Sequence, residues 1–327
     1  MIYYGKKIQS SVGGRQMKLT NTDFGIVTDF YGIRISLEEA VRRLGSLGIR
    51  DLEIPGWHWA ARQDVPYDRT RHAARVANLR SLLCDLGMNV QQFHSQFSLA
   101  ADTEPNRAAM AEMNFRTIDL AAELGAKALV IHIAGRHDCC RGVSDTAIFE
   151  ANVKTLAAMA KHAEHTPVRL AIENLMSDVN RQGCRISELK ELISAVGSGN
   201  VGICLDTGHA NVDGLDVPEA IRECGPQLIA THIQETCRGN DLHVFPFTLR
   251  QGKSTMDWFR IFETFARIGY AFPLIGECAN NSGELPLELA DRYLKAQKML
   301  IESVLRGEFE QKSAFSGANL EKKKAGC

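Results

Sequence analysis

The segment Cys204-Leu205-Asp206-Thr207-Gly208-His209 decides how this chain is expected to fold. An apolar, β-prone run reaches Asp206 and gives way to a glycine-containing turn that carries His209. A strand that stops on a charge directs that charge to its C-terminal end, where parallel strands of α/β folds build their binding sites. The segment therefore predicts a buried parallel strand followed by a functional turn.

The same pattern recurs elsewhere, in Ile172-Glu173-Asn174, Thr231-His232-Ile233, Asp241-Leu242-His243 and Ile275-Gly276-Glu277. Three carboxylates and a histidine that meet in one pocket repel one another and resist desolvation unless a cation lies among them. Three carboxylate oxygens and one imidazole nitrogen suit Mn²⁺, Zn²⁺, Co²⁺ or Mg²⁺. We therefore predict one divalent metal ion held by Glu173, Asp206, His232 and Glu277.

Eight strand-like runs alternate with segments of helical apolar spacing. The strand-like runs cover residues 24–29, 49–54, 89–94, 128–133, 169–173, 201–206, 228–233 and 274–277. Strict alternation implies a parallel sheet, and eight units suggest its closure. We expect a single-domain α/β fold, a (β/α)8 TIM barrel over residues 21–306, after a lead-in segment (1–20) and before a disordered polar tail (307–327). A doubly wound open sheet is the alternative, but no glycine-rich phosphate turn follows the first run.

The charge balance limits the partners. Lys and Arg (38) nearly cancel Asp and Glu (39), so the global field attracts neither nucleic acid nor an anionic membrane. No apolar run approaches membrane-spanning length, and the N-terminal residues lack a signal-peptide hydrophobic block. Nine cysteines without regular spacing are typical of reduced thiols. We expect a cytoplasmic protein that acts on a small molecule, and barrels of this kind could pair through their outer helices as a homo-oligomer.

Five further polar residues could bind substrate or additional metal. His209 follows Asp206 in the turn, and Asp241 and His243 point to the same side of an extended segment because they alternate. These three could form a second metal site, or the last two could hold a loop over the mouth. Two more histidines, His94 and His132, end the third and fourth strand-like runs and are expected in the same pocket.

Ligand contacts are expected at the rim of the barrel. Trp57 and His58 follow the second strand-like run and could form an aromatic wall that stacks on a sugar ring. Three basic residues in later loops could meet a phosphate or carboxylate of the ligand, namely Arg136, Arg250 and Lys253.

Taken together, these motifs resemble the xylose-isomerase-like barrel superfamily. That superfamily includes sugar and sugar-phosphate isomerases and epimerases, inosose dehydratases and metal-dependent apurinic endonucleases. The resemblance spans about residues 21–305, although Phe247-Thr248-Leu249-Arg250-Gln251-Gly252-Lys253 departs from the glycine-rich turn usual in isomerases. The resemblance implies that Glu173 and Glu277 act as acid and base on opposite faces of a ketose, through a metal-stabilised cis-enediolate. It also implies that His209 binds a substrate hydroxyl.

Two alternatives stay open on the same scaffold. The resemblance to the endonuclease branch implies three zinc ions, with the remaining ligands at His94, His132, His209, Asp241 and His243. An inosose-type dehydratase would begin with the same proton abstraction, and a barrel that only binds a sugar-like ligand is a further reading. We favour a divalent-metal-dependent isomerase or epimerase of a small sugar, sugar phosphate or polyol-derived carbonyl compound.

Overall fold

The computed structural model describes residue 19 and residues 21–60, 67–249, 253–278 and 284–309. Ten strands lie in these ranges: β1 (Phe24–Val27), β2 (Asp51–Pro55), β3 (Asn89–His94), β4 (Ala128–Ile131), β5 (Arg169–Glu173), β6 (Val201–Asp206), β7 (Leu228–His232), β8 (Glu235–Cys237), β9 (Asn240–Val244) and β10 (Leu274–Gly276). Most of the expected lead-in segment and the tail from residue 310 onwards lie outside the described residues.

The described ranges also hold ten α-helices: α1 (Leu37–Ser46), α2 (Gly56–Ala60), α3 (Arg69–Asp85), α4 (Glu104–Glu123), α5 (Asp145–Ala163), α6 (Ile186–Val196), α7 (Thr207–Val212), α8 (Val217–Cys224), α9 (Trp258–Arg267) and α10 (Leu287–Leu305). Several begin where a side chain caps the first turn; Ser36, Thr103 and Ser144 each accept a hydrogen bond from the third backbone N–H. None of these helices combines the length and apolarity needed to cross a lipid bilayer.

The eight barrel strands are parallel and follow the order β10-β1-β2-β3-β4-β5-β6-β7. The two ends of this sheet meet at a parallel bridge between Ile233 and Gly276. There the Ile233 N–H donates to the Ile275 carbonyl at 2.8 Å, and the Glu277 N–H donates to the Ile233 carbonyl at 3.2 Å. The predicted (β/α)8 barrel is confirmed, and the open-sheet alternative is wrong because the edge strands bond to each other.

Side-chain alternation along the strands places the polar residues at the C-terminal end of the barrel interior. A small apolar cluster lies inside the barrel and consists of Ala128, Val130, Ala171, Cys204, Ile229 and Ala230. Successive side chains of a strand point to opposite faces. Glu173, Asp206 and His232 therefore share the inward face of Ala171, Cys204 and Ala230, two residues further along each strand.

Strands β8 and β9 form an antiparallel hairpin outside the barrel sheet. This pairing of strands was not predicted from the sequence. After β9, Phe245 is fully buried and its ring lies 6.4 Å from that of Phe24 and 5.6 Å from that of Tyr293. These contacts fix the end of the hairpin against β1 and α10, so the residues of β9 are held over the C-terminal end of the barrel.

Candidate metal centre and active site

Four residues that were predicted to hold a metal ion lie together; they are Glu173, Asp206, His232 and Glu277. One ligand atom from each lies within 4.8 Å of those of the other three. The Nδ1 atom of His232 is 3.1 Å from Glu173 Oε1, 3.2 Å from Glu277 Oε2 and 3.8 Å from Asp206 Oδ2. We call this group the main cluster.

The chemistry of the main cluster fits a divalent cation. Three carboxylates converge on one imidazole nitrogen, and this oxygen and nitrogen set suits first-row divalent ions and Mg²⁺. Moreover, the buried Oε2 atom of Glu277 has no hydrogen-bond partner. A buried carboxylate oxygen without a donor is costly, and a cation bound there would offset that cost.

The two glutamates of the main cluster differ in proton affinity. Burial alone would raise the pKa of Glu173, but the imidazoles of His232 and His132 outweigh it and hold that pKa well below its usual range. Burial raises the pKa of Glu277 to about 7, because the attraction of His232 and His243 offsets burial only in part. Carboxyl groups whose pKa values are pushed apart in this way are suited to opposite proton-transfer roles.

A fifth buried residue, Glu53 of β2, completes the surroundings of His232. The Nε2 atom of His232 lies 2.9 Å from Glu53 Oε2, and the Gln92 amide donates to the same oxygen at 2.7 Å. Burial would raise the pKa of Glu53, but His232, His94 and the Gln92 amide together outweigh that effect and lower the pKa. Glu53 is not among the residues predicted from the sequence, although a single charge inside the apolar run Leu52-Glu53-Ile54 was a signal for it.

A second cluster, defined as His209, Asp241 and His243, lies beside the first. The Nε2 atoms of both histidines face Asp241 Oδ2, at 2.8 Å for His243 and 3.6 Å for His209. Their Nδ1 atoms lie 3.2 Å from the Glu277 carbonyl and 2.9 Å from the Asn174 carbonyl, respectively. Carbonyl oxygens only accept, so both Nδ1 atoms carry a proton, and in the neutral form of each ring the Nε2 lone pair would be available to a cation.

A strained backbone conformation and a bridging amide hold the side chains of the second cluster in fixed positions. His243 has a φ of 49°, a left-handed conformation that is unfavourable for residues other than glycine. The fully buried Gln234 links the clusters, because its Nε2 donates to Asp206 and to Asp241 at 3.2 Å and its Oε1 accepts from the His243 N–H at 2.9 Å. Gln234 is not among the residues predicted from the sequence.

His94 and His132 both approach Glu173, as expected from the sequence. Their Nε2 atoms lie 3.3 Å and 3.0 Å from Glu173 Oε2. The Nδ1 atom of His94 is 2.9 Å from the Ser95 carbonyl, so its Nε2 is the unprotonated nitrogen when the ring is neutral. His94, Glu173 and His232 form a third group with ligand atoms within 4.8 Å of one another.

The two residues of the expected aromatic wall face different surroundings. Trp57 is partly exposed, its indole N–H donates to Asp29 at 2.7 Å, and its ring centroid lies 5.1 Å from that of His94. His58 is instead buried, with ring nitrogens 3.1 Å from Thr28 Oγ1 and 3.3 Å from the Ile35 carbonyl. The two side chains therefore do not form one continuous surface, because helix α2 turns consecutive side chains in different directions.

The three basic residues expected to contact the ligand are exposed or lie outside the described residues. Arg136 is exposed and pairs with Asp138 at 3.4 Å. Lys253 is exposed as well. Arg250 lies outside the described residues.

Residues 41–302 match the family model of the xylose isomerase-like TIM barrel. The chain belongs to this family. The family resemblance inferred from the strand-end motifs is therefore confirmed, and the matched range includes every residue of the three groups described above.

Two curated proteins are similar to this chain in sequence. The uncharacterized protein y4fM of Sinorhizobium fredii is 30% identical over 204 residues, which are 62% of this chain and 63% of that protein. The aligned part thus spans less than two thirds of that relative. A D-psicose 3-epimerase of Agrobacterium fabrum is 23% identical over 239 residues, covering 72% of this chain and 77% of the enzyme.

A crystal structure of a D-psicose 3-epimerase with D-tagatose, from Clostridium cellulolyticum H10, is similar to this chain. It superposes with a TM-score of 0.73 at 18% identity and covers 87% of this chain and 99% of the enzyme. At this level of identity the likeness shows a common fold.

Proposed function

We propose that this protein is a divalent-metal-dependent isomerase or epimerase of a small sugar, a sugar phosphate or a polyol-derived carbonyl compound. The observation that carries the proposal is the main cluster, in which Glu173 at the end of β5 and Glu277 just after β10 approach the same nitrogen of His232. The similarity in sequence to a D-psicose 3-epimerase supports a sugar substrate.

The residues of the main cluster and its neighbours have separate roles in this proposal. A divalent cation held by the cluster would polarise the sugar carbonyl and its neighbouring hydroxyl, which acidifies the C–H bond between them. One of Glu173 and Glu277 removes that proton, and the other returns a proton to the opposite face or to the neighbouring carbon. His209 holds a substrate hydroxyl, and the exposed face of Trp57 stacks on the sugar ring.

Solvent exchange tests the proposed reaction. Protein loaded with Mn²⁺ is incubated in D₂O with a panel of ketoses, ketose phosphates and inososes, and deuterium incorporation is followed by NMR. We expect exchange next to the carbonyl together with an epimer or isomer of one substrate, and no exchange after treatment with a chelator. A product that has lost water would identify a dehydratase instead. Absence of exchange with every compound would contradict the proposal.

A multi-zinc phosphodiesterase is the second candidate, and the second cluster and the third group favour it. They add His94, His209, Asp241 and His243 to the ligands of the main cluster, enough side chains for more than one ion. The net charge of −1 argues against it, because phosphodiester backbones are gripped by an excess of basic residues. Metal analysis separates the two candidates. One ion per chain agrees with the isomerase, whereas three zinc ions and cleavage of abasic duplex DNA would replace it.

A further inference from the structure

We infer that Glu53 is a positioning residue of the metal centre. It fixes His232 in the tautomer whose Nδ1 atom binds the cation. This inference rests on the proposed metal site and adds a residue that does not itself contact the ion. Glu53 lies on the far side of the imidazole ring from the three carboxylates of the main cluster, since Nε2 faces Glu53 and Nδ1 faces Glu173 and Glu277.

The protonation of His232 follows from its neighbours. Its Nε2 atom lies 2.9 Å from Glu53 Oε2, and a carboxylate oxygen only accepts hydrogen bonds. Carboxylate oxygens face the other nitrogen as well, since Glu173 Oε1 lies 3.1 Å from Nδ1. With a cation bound among the carboxylates of the main cluster, Nδ1 has to present its lone pair, so the proton of the neutral imidazole sits on Nε2, where Glu53 accepts it. The ring is also held in plane, because it stacks on His94 at a centroid distance of 5.5 Å and an angle of 9°.

Glu53 is itself held in place by the strand that carries His232. The side-chain amide of Gln92 donates from Nε2 to Glu53 Oε2 at 2.7 Å. The Oε1 atom of the same amide accepts from the Thr231 N–H at 3.1 Å. Gln92 thus ties the carboxylate of β2 to the backbone of β7, one residue before the ligand. Both hydrogen bonds to Glu53 converge on Oε2, whereas its buried Oε1 has no hydrogen-bond partner.

A purely structural role does not account for this carboxylate. Glu53 is fully buried, and burying its charge lowers the stability of the fold more than an apolar side chain would. The charge therefore requires a role that an apolar side chain could not fill. A carboxylate that accepts from the distal nitrogen of a metal-binding histidine orients the ring and raises its basicity. Removing such a partner typically reduces metal affinity by about 10–100-fold.

Replacement of Glu53 by glutamine tests this role with little change of shape. The amide oxygen of Glu53→Gln can take the place of Oε2 and accept both hydrogen bonds, so that mainly the charge is lost. We expect the dissociation constant for Zn²⁺, measured by competition with a chelating dye, to rise about 10–100-fold. The control is Glu302→Gln, because Glu302 is also buried but accepts from the N–H of Phe24 at the start of β1. Its zinc affinity should stay within about twofold of the wild type.

A measurement on the unmodified protein tests the tautomer directly. In ¹⁵N NMR spectra of the zinc-loaded wild type, His232 should show a protonated Nε2 and a metal-bound Nδ1. Zinc bound through Nε2, or equal zinc affinities of the wild type and Glu53→Gln, would overturn the inference while leaving the proposed metal site intact. A wild type that binds no zinc would instead overturn the proposed site, and the inference with it.

Discussion

Replacing Glu173 by glutamine should reduce solvent proton exchange by about 10²–10⁴-fold, which is the usual contribution of one positioned acid–base group. Glu173 stands at the centre of the site, because the rings of His94, His132, His209 and His232 all lie within 3.3 Å of its two oxygens. The substitution removes a proton carrier and, in the same step, a charge that the main cluster offers to the cation. We therefore expect both the exchange rate and the metal affinity to fall.

The measurement is the rate of deuterium incorporation at saturating Mn²⁺ with the substrate that the panel identifies. Saturation separates the lost proton transfer from the lost affinity, which is determined by metal titration. Glu150→Gln is the matched control, since Glu150 is exposed on α5 and should leave both quantities unchanged. Circular dichroism checks that the variant folds. An exchange rate close to that of the wild type would place the chemistry at other residues.

Much of the fold follows from local patterns in the sequence. The run at 169–173 becomes β5 with the same bounds, because a short apolar segment that ends in a charge has few other ways to be buried. The run at 24–29 was expected to be longer than β1, which stops at Val27. There the chain tightens into the 3₁₀ segment Thr28–Arg34, whose turns depend on packing against other parts of the barrel.

The main cluster could be expected from the sequence, but its surroundings could not. Charges at the ends of parallel strands converge whatever lies between them, and this rule needs no knowledge of distant contacts. The role of Glu53, in contrast, depends on its contact with His232, which is 179 residues away in the chain. Similarly, nothing local distinguishes Trp57 from His58, although the structure leaves one at the edge of the site and buries the other against Thr28.

Replacing Glu277 by glutamine should have effects of opposite sign on stability and on function. In the metal-free protein we expect the free energy of unfolding to increase by about 1–3 kcal/mol near pH 8, the usual cost of an unsatisfied buried polar group. The reason is that Glu277 Oε2 has no hydrogen-bond partner, whereas an amide nitrogen at that position can donate to His232 Nδ1, 3.2 Å away. In the metal-loaded protein the same substitution should abolish proton exchange.

The expected gain in stability of Glu277→Gln should depend on pH. The pKa of Glu277 rises from its ordinary 4.5 to about 7 on burial, so the folded protein binds this proton more tightly than the unfolded chain does. The wild type therefore loses stability as the pH rises from about 4.5 to about 7, and Glu277→Gln does not share this loss. Urea unfolding of both metal-free proteins should give similar stabilities at the lower pH and the full difference above pH 7.

Glu302, another glutamate in the barrel, is the comparison that tests whether the gain in stability is specific to the metal centre. Glu302 accepts hydrogen bonds from the Phe24 N–H at 3.1 Å and from Lys298 at 2.6 Å, so Glu302→Gln should lower stability. A gain at Glu277 beside a loss at Glu302 would mean that the barrel holds the Glu277 charge at a cost in stability, which only a bound cation offsets. If metal-free Glu277→Gln were instead less stable than the wild type, the carboxylate would serve the fold, and its place among the metal ligands would have to be abandoned.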